Sequence, residues 1–367
     1  MLIRKKQDRD ETSLVSRNER IHSYMKTALS LLGFMIFLGL SFFVFHKTIG
    51  STHTGTIIIS QKDVPADAMV EGAIDSKESA MPISFESRAQ AVQILPYKKP
   101  NTASLYVAGA HAAVVLDADS GTVLHEYASH DQRQIASLTK LMTAMIAVER
   151  IKNLDEAVTI PEEAVYADGT KVGCPRSGYC IGNRFKVGEQ VSVRNLLKAA
   201  LMNSANDAAI SLGMYIGGTQ AKFADIMNKR AVELGLKDTH FCTPSGLEID
   251  GRESECYSSA YDIAQITAHS LQYDVLWETM RLPNMTITSI DGKQSHDIFN
   301  TDALLNQYPN LLGTKTGFTP LAGYSLLAVA TDATTKHRVV SVVLDDSQRW
   351  QDIQQMFAWA FNSFTWQ

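Results

Sequence analysis

Ser137 and Lys140 stand three residues apart at the head of an apolar run, 141–148, that reads as a helix. Positions three apart share a helical face, so the lysine amine can reach the serine hydroxyl and take its proton. A serine hydroxyl is a weak nucleophile until a base does this. A serine in the first helical turn also sits among backbone N–H groups that lack intrahelical partners, at the positive end of the dipole, which favours an oxyanion there. The pair alone is a short pattern: Ser23 and Lys26 match it in surroundings with nothing further to offer, and a helix cap followed by a solvated lysine reads equally well. Two further groups follow. Asn203-Ser204-Ala205-Asn206-Asp207 breaks a helical period between 196–202 and 208–215. Small polar residues there compete with the backbone for hydrogen bonds, so their presence calls for a reason beyond folding. Lys315-Thr316-Gly317 leads into a strand pattern.

The elements that must position these groups are legible in outline. Residues 112–116 form a short apolar strand, Asp119-Ser120-Gly121 has turn chemistry, and 122–127 alternates like a hairpin partner. This pair feeds the Ser137 helix. Residues 161–186 read as loop, whereas 223–234 and 261–271 read as amphipathic helices. Late in the chain, 311–317, 324–330 and 337–344 read as adjacent antiparallel strands, closed by a helix over about 349–361. Together they predict one sheet with helices packed on it and a mostly helical insert, α/β in the broad sense (α+β).

Composition sets the bounds. A chain of 367 residues with 45% hydrophobic content can build a proper core, which excludes a disordered class. The formal charge of -5, with no basic stripe interleaved with aromatics, speaks against nucleic acid as a partner. Residues 27–45 carry no formal charge and are long enough to cross a bilayer. Ahead of them, 1–26 holds seven Lys/Arg against four Asp/Glu, which places the N-terminus in the cytoplasm and the rest of the chain outside. A cleaved signal peptide is the rival, disfavoured by the long charged head and the lack of small residues at 43–46. The expected organisation is a cytoplasmic tail (1–26), a single-pass membrane anchor (27–45), an extracytoplasmic linker (46–102) of spacer composition and a folded domain (103–367). The four cysteines fall in the exported part as two sequence-local couples, so disulfides Cys174 with Cys180 and Cys242 with Cys256 are expected. Their spacing is not a zinc pattern, and no metal or cofactor is expected.

Ser137 with Lys140, Ser204-Ala205-Asn206 and Lys315-Thr316-Gly317, in this order and in helix-start, helix-break and strand contexts, are the set that penicillin-interacting serine enzymes use. From about residue 103 onward the chain resembles the D-alanyl-D-alanine carboxypeptidase family, the low-molecular-mass penicillin-binding proteins. Asp117-Ala118-Asp119-Ser120-Gly121, Ser204-Ala205-Asn206-Asp207-Ala208, Thr243-Pro244-Ser245-Gly246-Leu247, residues 313–319 and Trp359-Ala360-Phe361 extend the likeness. Class A β-lactamases share the fold and the triplet but not these flanks.

The resemblance implies a penicillin-binding protein/β-lactamase-like transpeptidase fold, with a central antiparallel sheet flanked by helices and a mostly helical subdomain. It implies a substrate, the peptidoglycan stem peptide, and covalent inhibitors, the β-lactam antibiotics. Ser137 would attack the carbonyl between the last two D-alanines, with Lys140 as base, Ser204 as proton relay to the leaving amine, Asn206 holding the substrate amide and Lys315 beside them. Backbone N–H groups of Ser137 and Phe318 would form the oxyanion hole. Thr316, Gly317 and Phe318 would line the substrate, and Arg349, ten residues ahead of Trp359, would grip the terminal carboxylate. Family members often add a C-terminal β-domain and an amphipathic tail anchor, whereas this sequence ends at Gln367 with its expected anchor at the other end. Both cysteine segments look particular to it. A transpeptidase, endopeptidase or β-lactamase would use the same residues. A penicillin-binding sensor and a non-catalytic cell-wall scaffold are readings of another class; the short tail counts against the first and the intact triplet against the second. Glu248 lies in a suggestive loop, where a solvated surface glutamate is the plainer reading.

Overall fold

The computed structural model describes residues 94–174, 180, 182–334 and 336–367. The expected tail (1–26) and anchor (27–45), and the linker up to residue 93, lie outside the described residues. No helix among the described residues is long and apolar enough to cross a membrane.

Strands β1 (Pro96–Lys98), β2 (Ala110–Asp117) and β3 (Val123–Tyr127) come first. A 3₁₀ turn, Ala136–Thr139, runs directly into α1 (Lys140–Arg150). There follow β4 (Ala157–Thr159), α2 (Glu162–Val165), β5 (Gln190–Ser192), α3 (Val193–Leu201), α4 (Asn206–Gly217) and α5 (Gln220–Glu233). Then come α6 (Ala260–Ser270), α7 (Asp274–Met280), β6 (Met285–Thr288) and β7 (Ser295–Ile298). The chain closes with β8 (Leu311–Thr319), β9 (Gly323–Thr331), β10 (Arg338–Asp346), α8 (Arg349–Ser363) and β11 (Phe364–Trp366).

The main sheet has the order β3-β2-β10-β9-β8, every pair antiparallel, so the early hairpin and the late strands join as expected. Side chains alternate across a strand. On β2, Ala112, Val114 and Leu116 therefore face one core, while Ala113 and Val115 face another. The first core is filled by α1, α3, α4, α6 and α7; the second is closed by Ile353, Met356, Phe357 and Ala360 of α8. Covered on both faces, β2, β9 and β10 read as near-continuous apolar runs, broken in β10 by Ser341, and not as alternation.

Residues 94–100 had the composition of the linker, yet they run beside the C-terminus. Pro96, Tyr97 and Lys98 pair with Trp366, Thr365 and Phe364, and Leu95 and Lys99 bond to Gln367 and Ser363. The folded part thus includes residues ahead of the expected boundary at 103. The β4–β5 and β6–β7 pairs and helices α2 and α7 were also not anticipated. Their segments are three to seven residues long, too short for either period to show.

Candidate active site

Ser137 lies in the 3₁₀ turn and not in the first turn of an α-helix, with Ala136 before it at φ 48°. Side chains three apart eclipse in a 3₁₀ turn, which aligns Ser137 with Lys140, the first residue of α1, more closely than an α-helix would. Lys140 Nζ is 2.7 Å from Ser137 Oγ, 2.7 Å from Asn206 Oδ1 and 2.7 Å from the Ser245 carbonyl oxygen. A neutral amine has two N–H groups and one lone pair. Donating to the two carbonyl oxygens leaves the lone pair aimed at the Ser137 hydroxyl, the arrangement a general base needs.

Electrostatics favour that neutral form. Lys140 is fully buried, and this burial holds its pKa well below the ordinary lysine value; the Lys315 cation lowers it further, while Asp207 opposes. The second cation expected from the sequence is thus present, but desolvation is the larger cause. Lys315 is itself buried, and burial, then the Arg349 charge, bring its pKa down to about 7. Buried Asp207, which accepts from the backbone N–H of Val172, is pushed up to about 7 by desolvation.

The polar break between α3 and α4 is where Ser204 and Asn206 are set. Ser204 adopts φ 58°, a left-handed conformation that turns the chain between the helices. Lys315 Nζ donates to Ser204 Oγ (2.8 Å) and to the Thr316 carbonyl (2.9 Å). Asn206 begins α4 with its side chain buried: Oδ1 accepts from Lys140 and Nδ2 donates to the Asp168 carbonyl at 2.7 Å. It holds the base in place, and these bonds use one of the two Nδ2 hydrogens and one of the two Oδ1 lone pairs, so the expected grip on a substrate amide needs no exchange of partners.

Ser137, Ser204, Thr316, Gly317, Phe318 and Arg349 all line one open cavity of about 500 Å³, with Thr170, Asn203, Phe299 and Thr301 completing its wall. Residues missed by the sequence reading are the last four, together with Ser245. Asn203 belonged to the helix-breaking polar run and carried a signal; Thr301, whose hydroxyl is 3.1 Å from that of Thr316, carried none. Arg349 Nη1 donates to the carbonyls of Gly317 (3.1 Å) and Ser325 (3.2 Å), so the guanidinium stands at the cavity wall and also braces β8 and β9. Gly317 is where β8 passes the nucleophile turn. A Cβ there would lie 2.7 Å from the Ile135 carbonyl oxygen and 3.2 Å from Leu138.

Both expected disulfides are present, Cys174 with Cys180 and Cys242 with Cys256. The second closes the loop that carries Ser245 to Lys140. In the same loop Gly246 has φ +79°, and a Cβ there would come within 2.0 Å of the Ala136 carbonyl oxygen. Glu248, beyond it, is half-buried and not a free surface side chain, because it accepts a hydrogen bond from the Thr319 hydroxyl at the end of β8.

An antiparallel sheet flanked by helices, with a hydroxyl, a buried amine whose pKa burial lowers and a second lysine gathered at an open cleft, defines a serine enzyme equipped for acyl transfer. The profile of the D-alanyl-D-alanine carboxypeptidase family matches residues 99–348, and the chain belongs to that family. It is 31% identical to D-alanyl-D-alanine carboxypeptidase DacF of Bacillus subtilis over 263 residues, 70% of this chain and 63% of that protein. It is 33% identical to a D-alanyl-D-alanine endopeptidase of Pseudomonas aeruginosa over 260 residues, 71% of this chain and 78% of that one. The fold is that of the penicillin-binding proteins: ampicillin-bound penicillin-binding protein D2 of Listeria monocytogenes superposes with a TM-score of 0.59 at 32% identity, covering 71% of this chain and 100% of that one. The chain spans a little under two thirds of the length of DacF.

Proposed function

We propose that this protein is a serine-type D-alanyl-D-alanine carboxypeptidase that removes the terminal D-alanine from peptidoglycan stem pentapeptides through an acyl-enzyme on Ser137. The observation that carries this reading is the three-partner geometry of Lys140, which leaves one lone pair for the Ser137 proton. Lys140 takes that proton as Ser137 Oγ attacks the carbonyl between the two D-alanines. Backbone N–H groups of Ser137 and Phe318 stabilise the oxyanion. The C–N bond then breaks as Ser204 gives its proton to the departing amine and recovers one from Lys315, 2.8 Å away. Thr316 and Arg349 receive the terminal carboxylate, and water hydrolyses the acyl-enzyme. β-Lactams acylate the same serine; the structure of the Listeria relative holds ampicillin.

The catalytic part works outside the cytoplasm in this reading. Two disulfides support an oxidising compartment, and 27–45 supplies an apolar stretch of spanning length. Recovery of the intact chain in the soluble fraction after cell lysis would count against the anchor. To test the activity, the purified full-length chain is incubated with a free-acid pentapeptide stem and D-alanine is measured. Release of one D-alanine per stem is expected. Cleavage of cross-linked stems without release of terminal D-alanine would replace this reading with an endopeptidase.

A further inference from the structure

Two of the three polar partners of Lys140, Asn206 Oδ1 and the Ser245 carbonyl oxygen, come from chain far from it in sequence. Each is held by a segment that a disulfide ties down. The first segment is the strap 168–174, which ends at Cys174, bonded to Cys180. Its Asp168 carbonyl accepts from Asn206 Nδ2 at 2.7 Å, and its Thr170 carbonyl accepts from the Asn206 backbone N–H at 2.8 Å. The Val172 N–H donates to the Asp207 carboxylate at 3.1 Å. A Cβ on Gly169 would lie 2.8 Å from Asn206 Nδ2, so strap and side chain fit without slack. The second segment, 243–247, lies between Cys242 and Cys256. Its Pro244 carbonyl accepts from Thr143 Oγ1 at 2.7 Å, and the Ser245 carbonyl accepts from Lys140. Neither segment belongs to a helix or a sheet, so no ladder of backbone bonds fixes its carbonyls. Such segments open locally at low free energy, and a cross-link removes the open states.

We infer that the Cys174–Cys180 and Cys242–Cys256 bonds are positioning devices for the base: they hold the two acceptors of Lys140 in place, so that the chain acylates at full rate only when both are formed. This rests on the acyl-enzyme reading above and adds a dependence on oxidation to it. With either acceptor displaced, the amine loses a bond that orients it, and its lone pair no longer stays aimed at the Ser137 hydroxyl. The chain as first made, with four thiols, therefore acylates slowly until it is oxidised.

The test follows acylation of the purified full-length chain by a penicillin in stopped flow, separating the rate constant at saturation from the penicillin concentration that gives half of it. One variant carries Cys174→Ser with Cys180→Ser, another Cys242→Ser with Cys256→Ser. In each, the saturating rate constant is expected to fall about tenfold to a hundredfold, as a displacement of up to about 1 Å at a reacting centre does. The half-saturating concentration should stay near that of the parent, because Thr316 and Arg349 stand on β8 and α8 and on neither segment. Circular dichroism reports whether each variant is folded. For one that is not, the parent, folded first and then reduced by a dithiol, takes its place. The dithiol gives two electrons and two protons to each disulfide and becomes a disulfide itself, and the rate is read while the circular dichroism is still that of the oxidised protein. A parent-like rate constant in either folded variant, or in the reduced parent, overturns the inference, even where the protein denatures more easily; the bonds would then serve stability alone. A higher half-saturating concentration with an unchanged rate constant overturns it as well. No penicillin adduct on the parent would instead remove the acyl-enzyme reading itself.

Discussion

Lys140 is a lysine made into a base chiefly by where it is buried. Because the neutral amine is the active form, acylation by a penicillin should rise as pH climbs through the depressed pKa and vanish below it. Lys315→Met removes the second cause of that depression, so the acid limb of the acylation profile should move to higher pH. Stopped-flow acylation checks this, and an unmoved limb would mean that another group titrates. Arg349→Ala should lower carboxypeptidase efficiency on free-acid stems about tenfold to a hundredfold, from roughly 1.5–3 kcal/mol of lost charge-assisted bonding. Amidated stems should change little; equal losses on both would assign Arg349 to bracing Gly317 and Ser325. At this scale the sequence was most informative. Ser137, Lys140, Ser204 and Lys315 are side chains of telling type at telling spacing, and the structure brings them together. The Ser245 carbonyl was invisible, because a backbone oxygen has no residue type. Asn206 was legible as a member of the set but not as a partner of Lys140, which depends on how α4 packs against α1.

Two close approaches govern the elements. Gly317→Ala would push β8 away from the nucleophile turn, since its Cβ meets the Ile135 carbonyl at 2.7 Å. A displacement of about 1 Å at a reacting centre can cost on the order of a hundredfold, so penicillin acylation of this variant should fall by about that factor while circular dichroism stays that of the parent. Parent-like acylation would show that the strand has slack the geometry denies. The Cys242–Cys256 bond closes a loop with a sequence separation of 14, and replacing both cysteines by serine should cost up to about 3 kcal/mol in chemical denaturation. The long helices and apolar strands were readable because their periods persist. The 3₁₀ turn at Ser137 was read as α-helix, since a single turn of either kind shows the same residues, and the short strands β4 to β7 fell below what a period can reveal.

In the whole molecule, one sheet carries two cores, and the cleft opens where its last strand meets the helical side. The class, the order of the late strands and the closing helix were legible from apolar runs and turn residues. The pairing of β1 with β11 was not, because it joins segments more than 260 residues apart and neither is apolar enough to announce a partner. In the proposed function the chain acts through a covalent acyl-enzyme on Ser137. The most direct measurement is peptide mapping by mass spectrometry after trapping the purified protein with a penicillin. The added mass is predicted on the peptide containing Ser137, and Ser137→Ala should take up none while keeping the circular dichroism of the parent. Drug mass on Ser204 or any other residue, or labelling that survives in Ser137→Ala, would contradict the account.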